Sequence, residues 1–265
     1  MKILTSATQL GEGCAFVPTM GALHAGHASL FHLASSLSET VVASIFINPL
    51  QFENSEDLAS YPRTPDRDFE IAEAAGVTHL WLPREEDIYP NNFRKLTAGP
   101  LGEIFEGRSR PGHFDGVVTV VSRFFDLVRP VYAIFGEKDF QQLTLIKQVS
   151  EKVEIIAAPT IRESDGLALS SRNTRLSESN RNAALVLHRA LQAASEAKDL
   201  YSARERMQQI CEAEISFKLD YAEVIDESDF SIAKDETKSK RAIIAGWLNG
   251  VRLIDNMQMK MSGLK

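Results

Sequence analysis

The chain has 265 residues, of which 44% are hydrophobic and 25% are charged, values typical of a soluble globular protein rather than a disordered or fibrous one. Its 29 basic and 36 acidic residues leave a formal net charge of -7. That charge argues against nucleic acid as the main partner, because phosphate backbones are bound chiefly through surplus lysine and arginine. The length predicts one large domain or two unequal ones.

The cellular location is also indicated by the composition. The two cysteines, Cys14 and Cys211, lie far apart and predict neither a disulfide framework nor a zinc site. Residues 1–6 do not begin a signal peptide, and the apolar runs are far shorter than the roughly 20 residues of a membrane span. We therefore expect a cytoplasmic protein without a membrane partner.

Short apolar runs alternate with helical patterns over the first two thirds of the chain. Strands are predicted at residues 15–18, 41–47, 78–82, 131–135 and 153–158, and helices at 25–37, 66–75, 114–128 and 139–150. Alternation of apolar strands with helices is typical of a parallel sheet flanked by helices. In such sheets, ligands bind where strand C-termini meet helix N-termini.

The pattern changes near residue 174. Helices are predicted at 177–197 and 202–217, and strands at 221–225, 241–248 and 251–255, with a solvated polar loop at 226–240. We therefore predict a first domain of residues 1–174 and a smaller α+β domain of residues 175–265.

The first candidate site follows the first predicted strand, where residues 18–27 read PTMGALHAGH. A helix N-terminus there offers unpaired N–H groups and a partial positive charge to an anion. His24 and His27 are three positions apart and can face one side of the helix, and Gly26 lets a ligand approach the backbone. The pair could bind triphosphate oxygens. Taken alone, the pattern also fits a helix start with two incidental histidines.

Two further polar motifs follow later strands. Residues 135–142, FGEKDFQQ, place Lys138 where it could contact a phosphate, although a plain turn with Asp139 as helix cap fits equally well. Residues 165–173, DGLALSSRN, offer two hydroxyls and an arginine for phosphate oxygens, or form a solvated loop.

A fourth motif, INPLQF at residues 47–52, follows the second strand and places Asn48 and Gln51 where they could bind hydroxyls or a carboxylate. Each motif taken alone is weak evidence for a binding site. All four leave the same predicted edge of the sheet, and we therefore interpret them as parts of one site.

Together the motifs resemble the pantoate–β-alanine ligase family over nearly the whole chain. The matching stretches are residues 17–27, 47–52, 61–64, 110–114, 135–142, 165–173 and 253–256. The resemblance implies an α/β fold of nucleotidyltransferase type, with a Rossmann-like parallel sheet flanked by helices and a smaller C-terminal α+β domain that acts as a lid. It implies that pantoate is adenylated by ATP with release of pyrophosphate, and that β-alanine then displaces AMP to give pantothenate.

The resemblance also implies roles for individual residues. His27, His24 and Lys138 would be catalytic. The ATP-binding positions would be Met20, Gly21, Ala22, Leu23, His24, Ala25, Gly26, His27, Gly136, Glu137, Lys138, Asp139, Ile161, Leu169, Ser170, Ser171 and Arg172. Gln51, Gln142 and Asn48 would bind pantoate and β-alanine. Mg²⁺ would bridge the phosphates with no side chain assigned to it, although Asp68 is considered, and a homodimer is implied.

Two other functions also fit the histidine motif. A cytidylyl- or adenylyltransferase would share the histidine motif but not the set of Asn48, Gln51 and Gln142, and an ATP-binding regulatory module would lack turnover.

Lys260-Met261-Ser262 superficially resembles a loop of class I tRNA synthetases but follows the last predicted strand. The segment before Val17 is shorter than is usual in the family, which implies a truncated or absent first helix.

Overall fold

The computed structural model describes residues 1–6, 13–53 and 55–259. The expectations about a first helix before Val17 and about residues 260–262 concern positions that fall partly or wholly outside these ranges. Two compact units are present, one of Met1–Glu137 with Gln141–Thr160 and one of Lys138–Phe140 with Ile161–Lys265. Among the described helices, none combines the length and the apolar character needed to cross a lipid bilayer.

The described strands of the first unit form one parallel sheet. They are β1 (Lys2–Leu4), β2 (Ala15–Thr19), β3 (Val41–Ile45), β4 (His79–Trp81), β5 (Tyr132–Gly136) and β6 (Glu154–Ala158), in the order β1-β4-β3-β2-β5-β6. Every neighbouring pair is parallel, which confirms the predicted sheet. The central strands β2 and β3 are almost wholly buried, as their continuous apolar sequences predict.

Helices surround this sheet. They are α1 (Ala25–Leu37), α2 (Ser55–Ala59), α3 (Pro65–Ala74), α4 (Glu85–Ile88), α5 (Glu106–Ser109), α6 (His113–Val128) and α7 (Phe140–Val149). The longest of these, α6, buries most of its apolar side chains. Its Phe124 ring meets Phe16, Phe46 and Trp81 edge-on at centroid distances of 5.6, 6.1 and 5.7 Å.

The second unit packs two helices against an antiparallel sheet. Its elements are α8 (Glu178–Ser195), α9 (Leu200–Glu212), β7 (Phe217–Asp226), β8 (Lys240–Leu248) and β9 (Val251–Gln258). The helix predicted at 202–217 ends at Glu212, because the buried Phe217 instead pairs with Leu248 at the start of β7. The predicted loop at 226–240 is partly ordered, since Glu227 accepts a hydrogen bond from the buried Arg241.

The longer segment of the second unit begins at Ile161, whereas the predicted domain boundary lies at residue 174. The cause is a short hairpin, in which Leu169 N donates to Ile161 O at 3.0 Å. Arg162 in that hairpin forms an ion pair with Asp255 of β9 at 2.7 Å, which fastens the hairpin to the antiparallel sheet.

Candidate active site

The predicted site motifs follow four strands that are neighbours in the sheet. The strands β3, β2, β5 and β6 are adjacent and parallel, so their carboxyl ends lie on one edge. From β2 the chain continues to β3 and β4 on one side, and it later returns to β5 on the other side of β2. The loop after β2 is therefore at the point where the strand order reverses, which is where open α/β sheets bind their ligands.

The loop between β2 and α1 has an unusual backbone that a buried carboxylate holds. Gly21 and Ala22 have φ of 81° and 51°, in the left-handed region. Ala22 N donates to Asp68 Oδ2 at 3.0 Å, and Leu23 N donates to Asp68 Oδ1 at 2.7 Å. A Cβ at position 21 would lie 3.0 Å from Asp68 Oδ2 and 3.1 Å from Ile45 Cγ2, so glycine fits this turn best.

Asp68 lies in the first turn of α3 and is 2% exposed. Its Oδ1 also accepts the Thr64 hydroxyl at 2.9 Å, so both carboxylate oxygens have protein donors. These contacts give Asp68 the role of fixing the loop before α1, rather than the metal-binding role considered from the sequence. The sequence signal was weak, because an acidic residue in the first turn of a helix also serves the helix dipole.

Substituting Asp68→Asn is expected to disturb this loop, because an amide nitrogen would face one of the two backbone N–H groups. A buried donor left without an acceptor costs about 1–3 kcal/mol. We expect a lower unfolding temperature and weaker ATP binding, measured by thermal denaturation and calorimetry. Asp66→Asn is the matched control, since Asp66 is exposed in the same helical turn. Equal effects of the two substitutions would contradict the assigned role.

The two histidines of the motif are oriented by backbone contacts. His24 caps α1, with its Nδ1 accepting from Gly26 N at 3.1 Å, and His27 Nδ1 accepts from His24 N at 3.3 Å. Because both Nδ1 atoms accept, Nε2 carries the hydrogen in each neutral ring and can only donate. The ring centroids are 4.1 Å apart. The structure therefore places two imidazole rings, each with an Nε2–H donor, close together at a helix N-terminus, where phosphate oxygens can bind.

Asn48 supports Gln51 rather than facing a ligand. It is 1% exposed, and its Nδ2 donates to Gln51 Oε1 at 3.0 Å and to Gly116 O at 3.1 Å. Its Oδ1 accepts from Leu50 N at 3.2 Å and from the Tyr89 hydroxyl at 2.7 Å. The capacity of the carboxamide is used by these four bonds, so the expectation that Asn48 binds a substrate directly does not fit its contacts.

The main chain of Gln51 is held as firmly as its side chain. A Cβ at Gly116 of α6 would lie 2.2 Å from Leu50 O and 2.8 Å from Gln51 N, so only glycine allows this approach. His113 Nδ1 donates to Gln51 O at 2.9 Å, and Arg110 Nη1 donates to His113 Nε2 at 2.9 Å. Gly116 was not predicted as a functional residue, although a glycine inside a helical pattern often has a packing or functional reason.

The two adjacent glutamines at the start of α7 have different environments. Gln141 is buried, with Oε1 accepting from Glu106 N at 3.1 Å. Its Nε2 donates to Leu101 O and Ile104 O, both at 2.8 Å. Gln141 therefore holds the 101–106 loop, whereas Gln142 is half-buried and remains the candidate for substrate contact.

Most of the ATP-binding residues predicted in the later motifs belong to the second unit, whereas Gly136 and Glu137 belong to the first. Those in the second unit are Lys138, Asp139, Ile161, Leu169, Ser170, Ser171 and Arg172. The Lys138 side chain is 16% exposed, and its Nζ lies 3.8 Å from Asp139 Oδ2. Ser170 Oγ accepts from Arg172 N at 3.3 Å, which shapes the turn that follows the hairpin. Gly166, with φ of 95°, packs against the ring of His188.

Neither cysteine is suited to covalent catalysis. Burial raises the pKa of the Cys14 thiol to about 11 and that of Cys211 to about 12. Since the thiolate is the nucleophilic form, both thiols are unreactive near neutral pH. Within residues 1–6, 13–53 and 55–259, no cluster of three or more His, Cys, Asp or Glu side chains forms a metal site.

A family model described as Pantoate-beta-alanine ligase matches residues 1–258. The chain belongs to the pantoate–β-alanine ligase family. A "Pantothenate synthetase" from Acidothermus cellulolyticus is 46% identical over 258 residues, covering 93% of this chain and 85% of the relative. The family expected from the sequence motifs is thereby confirmed.

Solved structures from this family have the same fold. Pantothenate synthetase from Thermus thermophilus superposes with a TM-score of 0.92 at 41% identity, covering 97% of this chain and 99% of that one. Pantoate-beta-alanine ligase from Francisella tularensis, complexed with Beta-gamma ATP and Beta-alanine, has a TM-score of 0.79 at 33% identity and covers 97% of each chain. The expected nucleotidyltransferase-type α/β fold with a smaller C-terminal α+β part is therefore confirmed.

Proposed function

We propose that this chain ligates pantoate to β-alanine in two steps. A carboxylate oxygen of pantoate attacks the α-phosphorus of ATP and pyrophosphate leaves, which gives pantoyl adenylate. The amine of β-alanine then attacks the acyl carbon, loses a proton and expels AMP, which gives pantothenate. The observation that carries this proposal is the family match over residues 1–258, which includes the paired histidine donors at the start of α1.

Catalysis in this proposal comes from charge stabilisation and from positioning. His24 and His27 donate Nε2–H groups toward the triphosphate, where charge develops as pyrophosphate leaves. Lys138 adds a positive point charge, and Ser170, Ser171 and Arg172 add further donors. No covalent nucleophile is needed, because AMP is itself a good leaving group, and this agrees with the unreactive thiols.

Substrate selection is assigned to Gln51 and Gln142, whose amides bind the hydroxyls and carboxylate of pantoate. Asn48 contributes through Gln51, since its own carboxamide is used inside the protein. The backbone of residues 20–27 and Ile161 would contact the nucleotide, together with Gly136, Glu137, Asp139 and Leu169.

ATP is the nucleotide substrate in this proposal, and Mg²⁺ would be held mainly by its phosphates. Mg²⁺ commonly keeps several waters and binds through substrate phosphates with few carboxylates. The Francisella tularensis relative complexed with Beta-gamma ATP and Beta-alanine supports the substrates. A homodimer, a cytoplasmic location and closure of the C-terminal part as a lid belong to the same proposal.

The decisive experiment follows AMP formation from ATP, Mg²⁺, pantoate and β-alanine, with each component omitted in turn. We expect AMP only when all four are present, and pyrophosphate release with pantoate before β-alanine is added. ATP binding without AMP in any mixture would favour a regulatory module. AMP formation that needs pantoate but proceeds without β-alanine would show that the pantoyl group is transferred to water, and β-alanine would no longer be supported as the acceptor. AMP formation only after a different amine is added would indicate another amine acceptor.

A further inference from the structure

Strand β9 carries two buried polar residues, Asp255 and Asn256, which are 5% and 4% exposed. Burying a carboxylate and a carboxamide is costly unless hydrogen bonds replace the lost water. Both residues belong to the 253–256 stretch that matches the family, and none of the roles proposed above uses them. The partners of their side chains indicate what they do.

The carboxamide of Asn256 joins β9 to the turn that contains Lys138. Asn256 Nδ2 donates to Lys138 O at 2.8 Å, across 118 positions of sequence. Asn256 Oδ1 accepts from Arg241 Nη1 at 2.6 Å. Because the nitrogen can only donate and the oxygen can only accept, the two bonds fix the orientation of the amide.

Arg241 holds the same turn at a second point. Its guanidinium lies over the Phe140 ring, with Cζ 4.0 Å from the centroid. Its Nε donates to Glu227 Oε1 at 2.6 Å, so the guanidinium is itself fixed. The turn is therefore attached through its main chain at Lys138 and through a ring two residues later.

The neighbouring residue Asp255 holds the hairpin that leads into Ser170. Its two oxygens accept from Arg162 Nη1 and Nη2 at 2.7 and 2.9 Å, a bidentate pair. The same guanidinium donates to Gly166 O at 3.0 Å and to Asn256 O at 3.2 Å. Two adjacent residues of β9 thus anchor two of the three segments to which the proposed function assigns triphosphate contacts, the third being the histidine motif at the start of α1.

We propose that Asn256 is a positioning residue for the adenylation step. It holds the main chain of Lys138 so that the ammonium group is aligned with the donors of Ser170 and Arg172 before ATP binds. This inference rests on the proposed function, which assigns Lys138 to the triphosphate. Fixed charges stabilise a transition state because they need no rearrangement during the reaction, and small displacements of such groups are costly.

The substitution Asn256→Asp tests this role with almost no change in shape. Aspartate keeps an acceptor for Arg241 but turns an oxygen toward Lys138 O, so the bond to the turn is lost. We expect kcat/KM for ATP in pantoate-dependent ATP–pyrophosphate exchange to fall about tenfold or more. The rate of β-alanine attack on pre-formed pantoyl adenylate should stay near the wild-type value.

Asn249→Asp is the matched control, since it makes the same chemical change in the turn between β8 and β9. The Asn249 amide donates to Asn180 Oδ1 at 2.9 Å and is exposed. We expect this control to keep both partial reactions. If Asn249→Asp lowers ATP–pyrophosphate exchange as much as Asn256→Asp does, added charge is the cause and the positioning role is overturned.

A double-mutant cycle separates positioning from general structural support. In a Lys138→Ala background, Asn256→Asp should cause little further loss, because the group that it positions is already gone. If the losses of exchange activity caused by Lys138→Ala and Asn256→Asp are independent and additive, the inference is overturned. Asn256→Ala provides a second variant without added charge, and if both Asn256 variants lose cooperative thermal unfolding, the residue supports the fold rather than Lys138.

The outcomes also separate this inference from the proposed function. A wild-type chain that forms no AMP in the full mixture overturns both. A wild-type chain that turns over normally, with Asn256→Asp equally active in ATP–pyrophosphate exchange, overturns the positioning role alone.

Discussion

His27→Ala is expected to lower the rate of pantoyl adenylate formation by about 10²–10³-fold, the loss typical when one pre-organised donor to developing charge is removed. His27 Nδ1 accepts from His24 N at 3.3 Å, which leaves Nε2 as the donor for the triphosphate. ATP–pyrophosphate exchange with pantoate measures the effect. Because the donor acts mainly in the transition state, kcat should fall much more than KM for ATP rises.

The matched control for this substitution is His32→Ala, since His32 is exposed on the same helix α1. Thermal unfolding of both variants shows whether α1 remains intact, because His27 also accepts a bond at the helix start. An exchange rate of His27→Ala within twofold of the His32→Ala rate, with both proteins folded, would remove His27 from the chemistry.

Gly116→Ala is expected to damage both the stability of the first unit and the binding of pantoate. The added Cβ would lie 2.2 Å from Leu50 O and 2.8 Å from Gln51 N, and both are main-chain atoms that cannot move cheaply. Overpacking of this kind costs about 1–3 kcal/mol, and more where the backbone must shift. We expect a lower unfolding temperature and a raised KM for pantoate, because Gln51 is displaced.

Ser122→Ala on the same helix α6 is the control for helix propensity, and we expect it to leave the KM for pantoate unchanged. The KM for pantoate shows whether Gly116→Ala displaces Gln51 or only destabilises the fold. If Gly116→Ala lowers the free energy of unfolding but leaves the KM for pantoate at the wild-type value, Gln51 is not the pantoate contact. A variant with wild-type stability would contradict the packing of α6 against residues 49–51.

The sheet could be predicted from sequence because its central strands are apolar throughout and its helices have clear stop signals. The edge strand β1 (Lys2–Leu4) was missed, since three residues carry too little periodicity to be recognised. The end of α9 was placed too late, at residue 217. The spacing of apolar residues up to 217 predicts a helix, but Phe217 pairs with Leu248 in the antiparallel sheet. A short stretch of sequence does not indicate a contact with a residue so far along the chain.

Candidate site residues could be chosen from the sequence where they follow strand ends, and not where they act through distant neighbours. The family motifs and the helix-start chemistry single out His24, His27 and Lys138, whose catalytic roles stay predictions. The roles of Asp68 and Gly116 depend on contacts 45 to 68 positions away in sequence, which no local pattern indicates. Asn48 was predicted to bind a substrate because its sequence context does not show that protein groups already occupy its carboxamide.

The hydrogen bond between Lys138 O and Asn256 has a consequence for the order of events during synthesis. The ribosome completes every described strand of the parallel sheet before it translates β9, and N-terminal domains generally fold first as they emerge. The turn at 137–140 must therefore wait 118 residues for the amide that holds it. A nascent chain can have a folded parallel sheet while Lys138 is still unanchored. From the proposed role of Asn256, we therefore expect adenylation activity only after residue 256 has left the exit tunnel.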